Sequence, residues 1–423
     1  MQNLKSKLSV FLILTNLFTV FSQNNTSSIY SFYGIGDIDR SGFASNRAMG
    51  GLGICLRDPN QINYLNPASY SAQDTSSFVF EIGMYGNFVN SITSTSQLTR
   101  NNFNINYIAF SFPVTKNYYS SVGLIPFSSV GYNLRDVAYT SNNDTLSYSY
   151  TGSGGLYQLY YGNSIKLLGD RLSLGVNISY IFGRLNAIDT ITFPTDYANT
   201  YSTLTYNENF IRGFYINTGL QFKQKIYDKF SILLGLIYDP KISLRSRNTI
   251  QIIQNYLSSS SLNDTLRNNK TYGNVTLPQK IGVGLSFNYD NKLFLGMDYS
   301  YQDWSKASFD GQNESLKACN NISIGMEYTP NRRSIRSYFA KVKYRIGTYF
   351  NNTSLVINNT QINDYGYSFG IGLPFKNTNS VFNISFEHGI RGTTQNQLIQ
   401  ENYNRITFSL SLYDMWFFKK RYD

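Results

Sequence analysis

From residue 76 onward, apolar and polar side chains alternate one for one, in runs separated by turn-like segments. Fourteen such runs can be counted, at roughly 76–91, 103–112, 118–134, 154–168, 171–185, 209–224, 228–245, 277–289, 292–304, 319–329, 336–349, 362–374, 380–392 and 402–413. In the fifth, Leu172, Leu174, Val176, Ile178, Tyr180 and Phe182 share one face, and Ser173, Gly175, Asn177, Ser179 and Gly183 share the other. The eighth sets Ile281, Val283, Leu285 and Phe287 against Gly282, Gly284, Ser286 and Asn288. The tenth sets Ile322, Ile324, Met326 and Tyr328 against Asn321, Ser323, Gly325 and Glu327. A period of two places successive side chains on opposite faces of a strand. Residues 23–75 lack this period and are rich in Gly, Asn, Ser and Asp.

A soluble sandwich could show the same two-faced strands, but the connections alternate in length. Gly169-Asp170, Asp290-Asn291, 113–117, 225–227, 330–335 and 375–379 are short. The links 92–102, 135–153, 186–208, 246–276, 305–318, 350–361 and 393–401 are longer. Tyr and Phe gather at run ends: Tyr118, Tyr119, Tyr160, Tyr161, Tyr299, Tyr301, Tyr365, Tyr367, Trp416, Phe417 and Phe418. Short turns on one side, long loops on the other, aromatic girdles and an even strand count predict an all-β, 14-stranded antiparallel transmembrane β-barrel over 76–423. A barrel interior is filled by its own side chains only up to ~8 strands. A larger lumen needs filling, and the unpatterned 23–75 segment is the natural plug, or hatch.

Composition narrows the class. The 423 residues carry 14% charged and 16% aromatic side chains, with a net charge of +11. Disordered chains are poor in aromatics and rich in charge. No apolar run of ~20 residues follows the first 25 positions, so spanning helices are not expected. Residues 1–22 read as a signal peptide, with Lys5 and Lys7 before the apolar stretch Leu8–Phe21. The expected address is therefore the bacterial outer membrane. Cys55 and Cys319 form no disulfide framework, and one His leaves little for metal chemistry. The basic residues are not clustered as on a nucleic-acid surface. No cofactor or metal site, no catalytic residue and no nucleic-acid partner is expected.

Before the first run stand Ala48-Met49-Gly50-Gly51 and Asn66-Pro67-Ala68-Ser69-Tyr70. Together with Gly152-Ser153-Gly154-Gly155-Leu156, and Leu277-Pro278 ahead of the eighth strand, they resemble the FadL-type outer-membrane transporters of long-chain fatty acids and hydrocarbons. The resemblance implies that Ala48, Gly50, Gly51, Asn66, Pro67 and Ala68 belong to a hatch that closes the lumen toward the periplasm. Independently, Pro67 fixes its own φ and biases Asn66 to an extended backbone.

Charged side chains on a lipid face cost ~2–4 kcal/mol near the midplane, so Lys341, Lys343 and Arg345 on the eleventh run must face the lumen. Glu81, Asp298, Glu327 and Glu387 are lumenal by the same rule. These residues make either an ion-pair lattice that fills the barrel or a basic track that contacts a carboxylate headgroup. On the thirteenth run His388 falls on the lipid side, away from any nucleophile. The leading expectation is passive uptake of a hydrophobic small molecule or lipid, such as a long-chain fatty acid or hydrocarbon. The alternative is a non-transporting FadL-like subunit of an outer-membrane protein assembly or secretion complex. Deleting residues 23–70 is expected to leave a barrel that assembles but conducts small ions in planar bilayers. Equal conductance of the truncated and full barrels would remove the plug assignment.

Overall fold

A computed structural model of the chain describes residues 26–415, except 40–41, 140–144, 193–200, 257–262, 311–315 and 377. Residues 1–22 and the aromatic trio Trp416, Phe417 and Phe418 lie outside the described residues. The wall consists of β1 (Ser77–Ile92), β2 (Gln97–Pro113), β3 (Tyr118–Tyr139), β4 (Thr145–Leu167), β5 (Leu172–Thr192) and β6 (Tyr201–Tyr227). It continues with β7 (Phe230–Asp239 and Ile242–Tyr256) and β8 (Asn263–Leu277 and Lys280–Tyr289). Then come β9 (Leu293–Asp303), β10 (Ala318–Tyr328), β11 (Lys343–Ile357), β12 (Thr360–Pro374), β13 (Val381–Arg391) and β14 (Gln400–Met415). Neighbours pair antiparallel throughout. β14 returns to β1 in register, from Gln400–Ile92 to Met415–Ser77, which closes the sheet as a 14-stranded barrel.

Lipid-facing and inward positions alternate as the sequence requires. On β13, Val381, Asn383, Ser385 and Glu387 are buried, while Phe382, Ile384, Phe386 and His388 are only partly covered. His388 sits on that outer face, 5.3 Å from the Tyr367 ring and 2.9 Å from the Asn404 amide oxygen.

Three expectations need correction. First, the links 92–102, 135–153, 186–208, 246–276 and 350–361 are largely strand, because the strands that flank them continue well above the membrane. β4 alone has 23 residues, about 75 Å at ~3.3 Å per residue, whereas crossing needs ~9–11. Above the lipid both faces meet water, so no apolar face remains to mark the strand. Second, β11 starts at Lys343 rather than 336. Lys341 ends the 3₁₀ turn Phe339–Lys341 and lies outside the lumenal lattice. Third, Tyr119 and Tyr160 are fully buried inside the barrel, not in a girdle, because their inward positions pack on Phe43 and Tyr70.

Two prolines interrupt the wall at one level. Asp239 pairs with Lys280 and Ile242 with Leu277, so Pro240 and Pro278 fall in the same gap of the β7–β8 ladder. Neither proline can donate a ladder hydrogen bond. On the other side of β7, Thr218 pairs with Tyr238 but Arg212 with Arg245, a slip of one residue past the break.

The first fifty described residues run through the lumen. They form the 3₁₀ turn Ile29–Phe32, a two-residue strand Asp37–Ile38 on β3, the short helix Ala44–Arg47 and the 3₁₀ turn Pro67–Ala72. Their backbone lies directly on inward-facing glycines of the wall. A Cβ at Gly175 would come 2.3 Å from the Pro67 carbonyl carbon, and one at Gly235 would come 2.2 Å from the Ile54 oxygen. At Gly347 it would meet the Met49 carbonyl carbon at 2.1 Å. These glycines pair across strands, Gly175 with Gly219, Gly235 with Gly284, and Gly325 with Gly347, so they form a collar at the depth of the segment. Gly347→Val is therefore expected to push the segment off the wall, costing about 1–3 kcal/mol of overpacking and raising ion conductance. Gly86→Val, whose Cβ meets nothing nearer than 3.5 Å, is the matched control and should leave conductance unchanged.

Candidate functional site

The site is the contact between this inner segment and the wall. Asn66 is fully buried and extended, as the following proline demands. Its side-chain oxygen accepts the Ala68 N–H at 3.1 Å and so caps the 3₁₀ turn that Pro67 begins. Its amide nitrogen donates to the Ile54 carbonyl at 2.8 Å. Ala68 is sealed in the same place, and its carbonyl accepts from Ser71 and Ser164.

Upstream, Ala48 closes the short helix, its N–H donating to the Ala44 carbonyl. Gly50 and Gly51 both take positive φ, +70° and +80°, which turns the chain back after the helix. The Gly50 N–H donates to the Ser368 hydroxyl of β12 at 2.8 Å. The next turn is held by one carboxylate. Asp298 of β9 accepts the N–H groups of Gly53 and Ile54 at 2.7 Å and that of Cys55 at 3.2 Å. Burial, with Asp298 beside it, pushes the Cys55 thiol well above its ordinary value, so it stays a thiol. Cys55 and Cys319 are both buried and neither is in a disulfide.

Charge supplies the second set of ties. The Glu327 carboxylate receives Arg345 Nε at 2.8 Å, Arg332 at 3.4 Å and Lys343 Nζ at 4.0 Å. Lys343 also pairs with Asp58 of the inner segment. Arg345 donates further to Asn383 at 2.8 Å and to Gln61 of the inner segment at 3.4 Å. Higher up, the fully buried Arg47 donates to both oxygens of Asp39, at 2.5 and 2.6 Å, and stands 3.6 Å from Glu387. Arg391 bridges Asp37 of the segment and Asp364 of β12 at 3.0 and 3.1 Å. The structure thus brings Lys343, Arg345 and Glu387 into contact with the segment, holds Glu327 against Lys343 and Arg345, and leaves Lys341 outside. Asp58, Gln61, Asp39 and Arg47 were not singled out from the sequence, because the segment has no periodicity that assigns a face. The available signal was chemical: charges in a filled lumen need partners.

Between two stretches of the segment, 33–39 and 50–54, and the wall lies a cavity of ≈ 190 Å³. Asp37, Asp39, Asp364, Glu387, Arg391 and Arg405 line it beside aliphatic and aromatic side chains. Small-molecule sites usually measure ~300–1,000 Å³ and are mostly apolar.

A family model described as BamG matches residues 4–423. Curated protein sequences give no match. Among solved structures, the chain superposes on a FadL homologue of Pseudomonas aeruginosa with a TM-score of 0.60 at 12% identity, covering 90% of this chain and 100% of that one. The toluene transporter TodX of P. putida gives 0.58 at 14% identity, covering 90% and 100%. The toluene transporter TbuX of Ralstonia pickettii gives 0.57 at 15% identity, covering 88% and 98%. At such identities the likeness is one of fold. The FadL-like barrel expected from the sequence is present, under a different family name.

Burial alone would raise the Asp58 carboxyl, but the Lys343 ammonium, with Arg332, outweighs it and holds the group well below the usual carboxylate range. A depressed value stabilises the folded state above the unfolded carboxyl pKa of about 3.9 and loses that stabilisation only as pH falls through the folded value. The Asp58–Lys343 tie is therefore expected to hold unchanged from pH 8 to pH 5, read as constant protease resistance of the inner segment. Glu327→Gln leaves the buried Arg345 without its carboxylate and should cost about 3–5 kcal/mol in thermal unfolding of the barrel. Glu208→Gln, at an exposed pair with Arg184, should cost less than about 1 kcal/mol.

Proposed function

The chain belongs to the BamG family, and on that premise we propose that it is a sealed, non-conducting barrel subunit of an outer-membrane protein assembly complex. The observation that carries this reading is the lumen. The inner segment is fastened to β9, β11, β12 and β13 by backbone hydrogen bonds and by buried ion pairs. The cavity of ≈ 190 Å³ between the segment and the wall is small and carries charges on part of its border. A conduit for hydrophobic solutes needs an apolar path, whereas this interior is built to stay closed. The outer wall then supplies the function, as a rigid surface for neighbouring proteins, and the tall β3–β8 hairpins extend that surface above the membrane.

Uptake of a hydrophobic molecule is the second reading. It is favoured by the likeness in fold to hydrocarbon channels and by an apolar cluster within the lumen. Ile35, Leu156, Ile181, Ile211, Leu244 and Trp304 gather there, beside the proline break in the wall.

Tagged full-length protein, purified from native membranes in mild detergent, separates the two by mass spectrometry of its proteins and lipids. The expected result is stoichiometric outer-membrane partners and no hydrophobic molecule retained in the lumen. A lone barrel carrying fatty acid or hydrocarbon would overturn the assembly reading in favour of uptake.

A further inference from the structure

Four arginines stand together on the outer surface of the barrel, on β5, β6 and β7. Arg184 pairs across strands with Phe210, and Phe210 with Arg247. One step nearer the membrane, Arg212 lies directly opposite Arg245. All four side chains point outward, because the alternate positions Ile211, Leu244 and Ser246 are buried in the lumen. The guanidinium carbons of Arg184, Arg212 and Arg247 lie 5.9, 6.0 and 5.4 Å from the centre of the Phe210 ring. Cation–π contact with that ring holds three of the forks around one point.

The cluster is short of anions. Glu208, 3.3 Å from Arg184, is the carboxylate that pairs with it among the described residues. The Nε of Arg247 is buried without an acceptor among them. Like charges directly opposite on paired strands destabilise a sheet, as Arg212 and Arg245 must unless an anion lies between them.

Height identifies the anion. Below the cluster the outward positions of β5 and β6 are mostly apolar: Leu174, Ile178 and Phe182 on β5, and Phe222, Ile216 and Phe214 on β6, with Thr218 the polar exception. Phe214, the last of these, is 66% exposed and two residues from Arg212, and Phe182 pairs with Arg212 across the ladder. On β5 and β6 the continuous apolar band thus gives way at the arginines to a mixed surface, with Asn186, Glu208 and Thr190 among its outward residues, on the side of the long hairpins. That is the level of the head groups in the outer leaflet. Guanidinium forks bind phosphate oxygens in pairs, with geometry that a lysine does not match. We propose that Arg184, Arg212, Arg245 and Arg247 form a binding site for the phosphate head group of an anionic lipid in the outer leaflet.

The test uses the full-length barrel in phosphatidylcholine nanodiscs containing diphosphorylated lipid A, with native mass spectrometry counting bound lipid. Wild type is expected to retain lipid A, and Arg212→Gln/Arg245→Gln to bind it at least about 100-fold more weakly, near tenfold per lost charge-assisted fork. Arg212→Lys/Arg245→Lys should fall between the two. The heat-modifiable mobility of each variant on gels confirms that the barrel has assembled. Equal retention by wild type and the Gln variant would overturn the proposal. So would equal binding of dephosphorylated lipid A, which would mean acyl chains alone are recognised. If inorganic phosphate binds the barrel and competes as well as lipid A does, the site is one for a free anion and the lipid assignment fails.

Discussion

Fourteen strands enclose a bore wider than their own side chains can fill, and this single geometric excess governs the rest of the molecule. The filler is a stretch of irregular chain, and irregular chain brings backbone N–H and C=O groups that no ladder satisfies. An unpaired buried backbone group costs roughly as much as a lost hydrogen bond. The wall therefore has to answer the filler group by group. Asp298 takes three successive N–H groups, Ser368 takes that of Gly50, and the side chains of Asn46, Asn63 and Asn66 donate to carbonyls of the segment itself. Close approach is possible because the wall has no Cβ at Gly175, Gly235 and Gly347. The inward glycines of the alternating runs are thus explained by what lies against them, and no strand property required them.

All fourteen strands were legible because lipid supplies a sharp test of one face. Where that test stops, legibility stops. The upper parts of β3 to β8 read as loops because water lies on both sides of them, and β8 is exposed at every described position from Asp264 to Tyr272. Tyr119 and Tyr160 misled for a related reason. An aromatic at a strand end reads as girdle, but both belong to the inward set and meet the segment there. Lys341 failed because a 3₁₀ turn breaks the alternation that would have carried its side chain inward.

The candidate site was half legible. Lys343, Arg345, Glu327 and Glu387 could be placed in the lumen by the cost of a charge against lipid, and the Asn66-Pro67 pair by the stereochemistry of proline. Their partners Asp58, Asp39 and Asp37 could not be placed, because the segment that bears them has no repeat. The wall's share of each ion pair was visible, and the inner segment's share required the fold.

This division also decides what the lumen can do. A passive channel has no energy source, so its open state must be thermally populated. Moving the segment off the wall would part buried ion pairs and hydrogen bonds, and a charge left without its partner inside the barrel is costly. The segment here has several such ties, at Lys343, Arg47 and Arg391, distributed over β11 to β13 and along the length of the segment itself. Because they lie on different strands and at different heights, no single hinge releases them together. Local movement that parts one tie leaves the others in place, so the ties hold the segment together as a set. Movement of the segment therefore has to part ties on several strands at once, whatever passes or does not pass through the barrel.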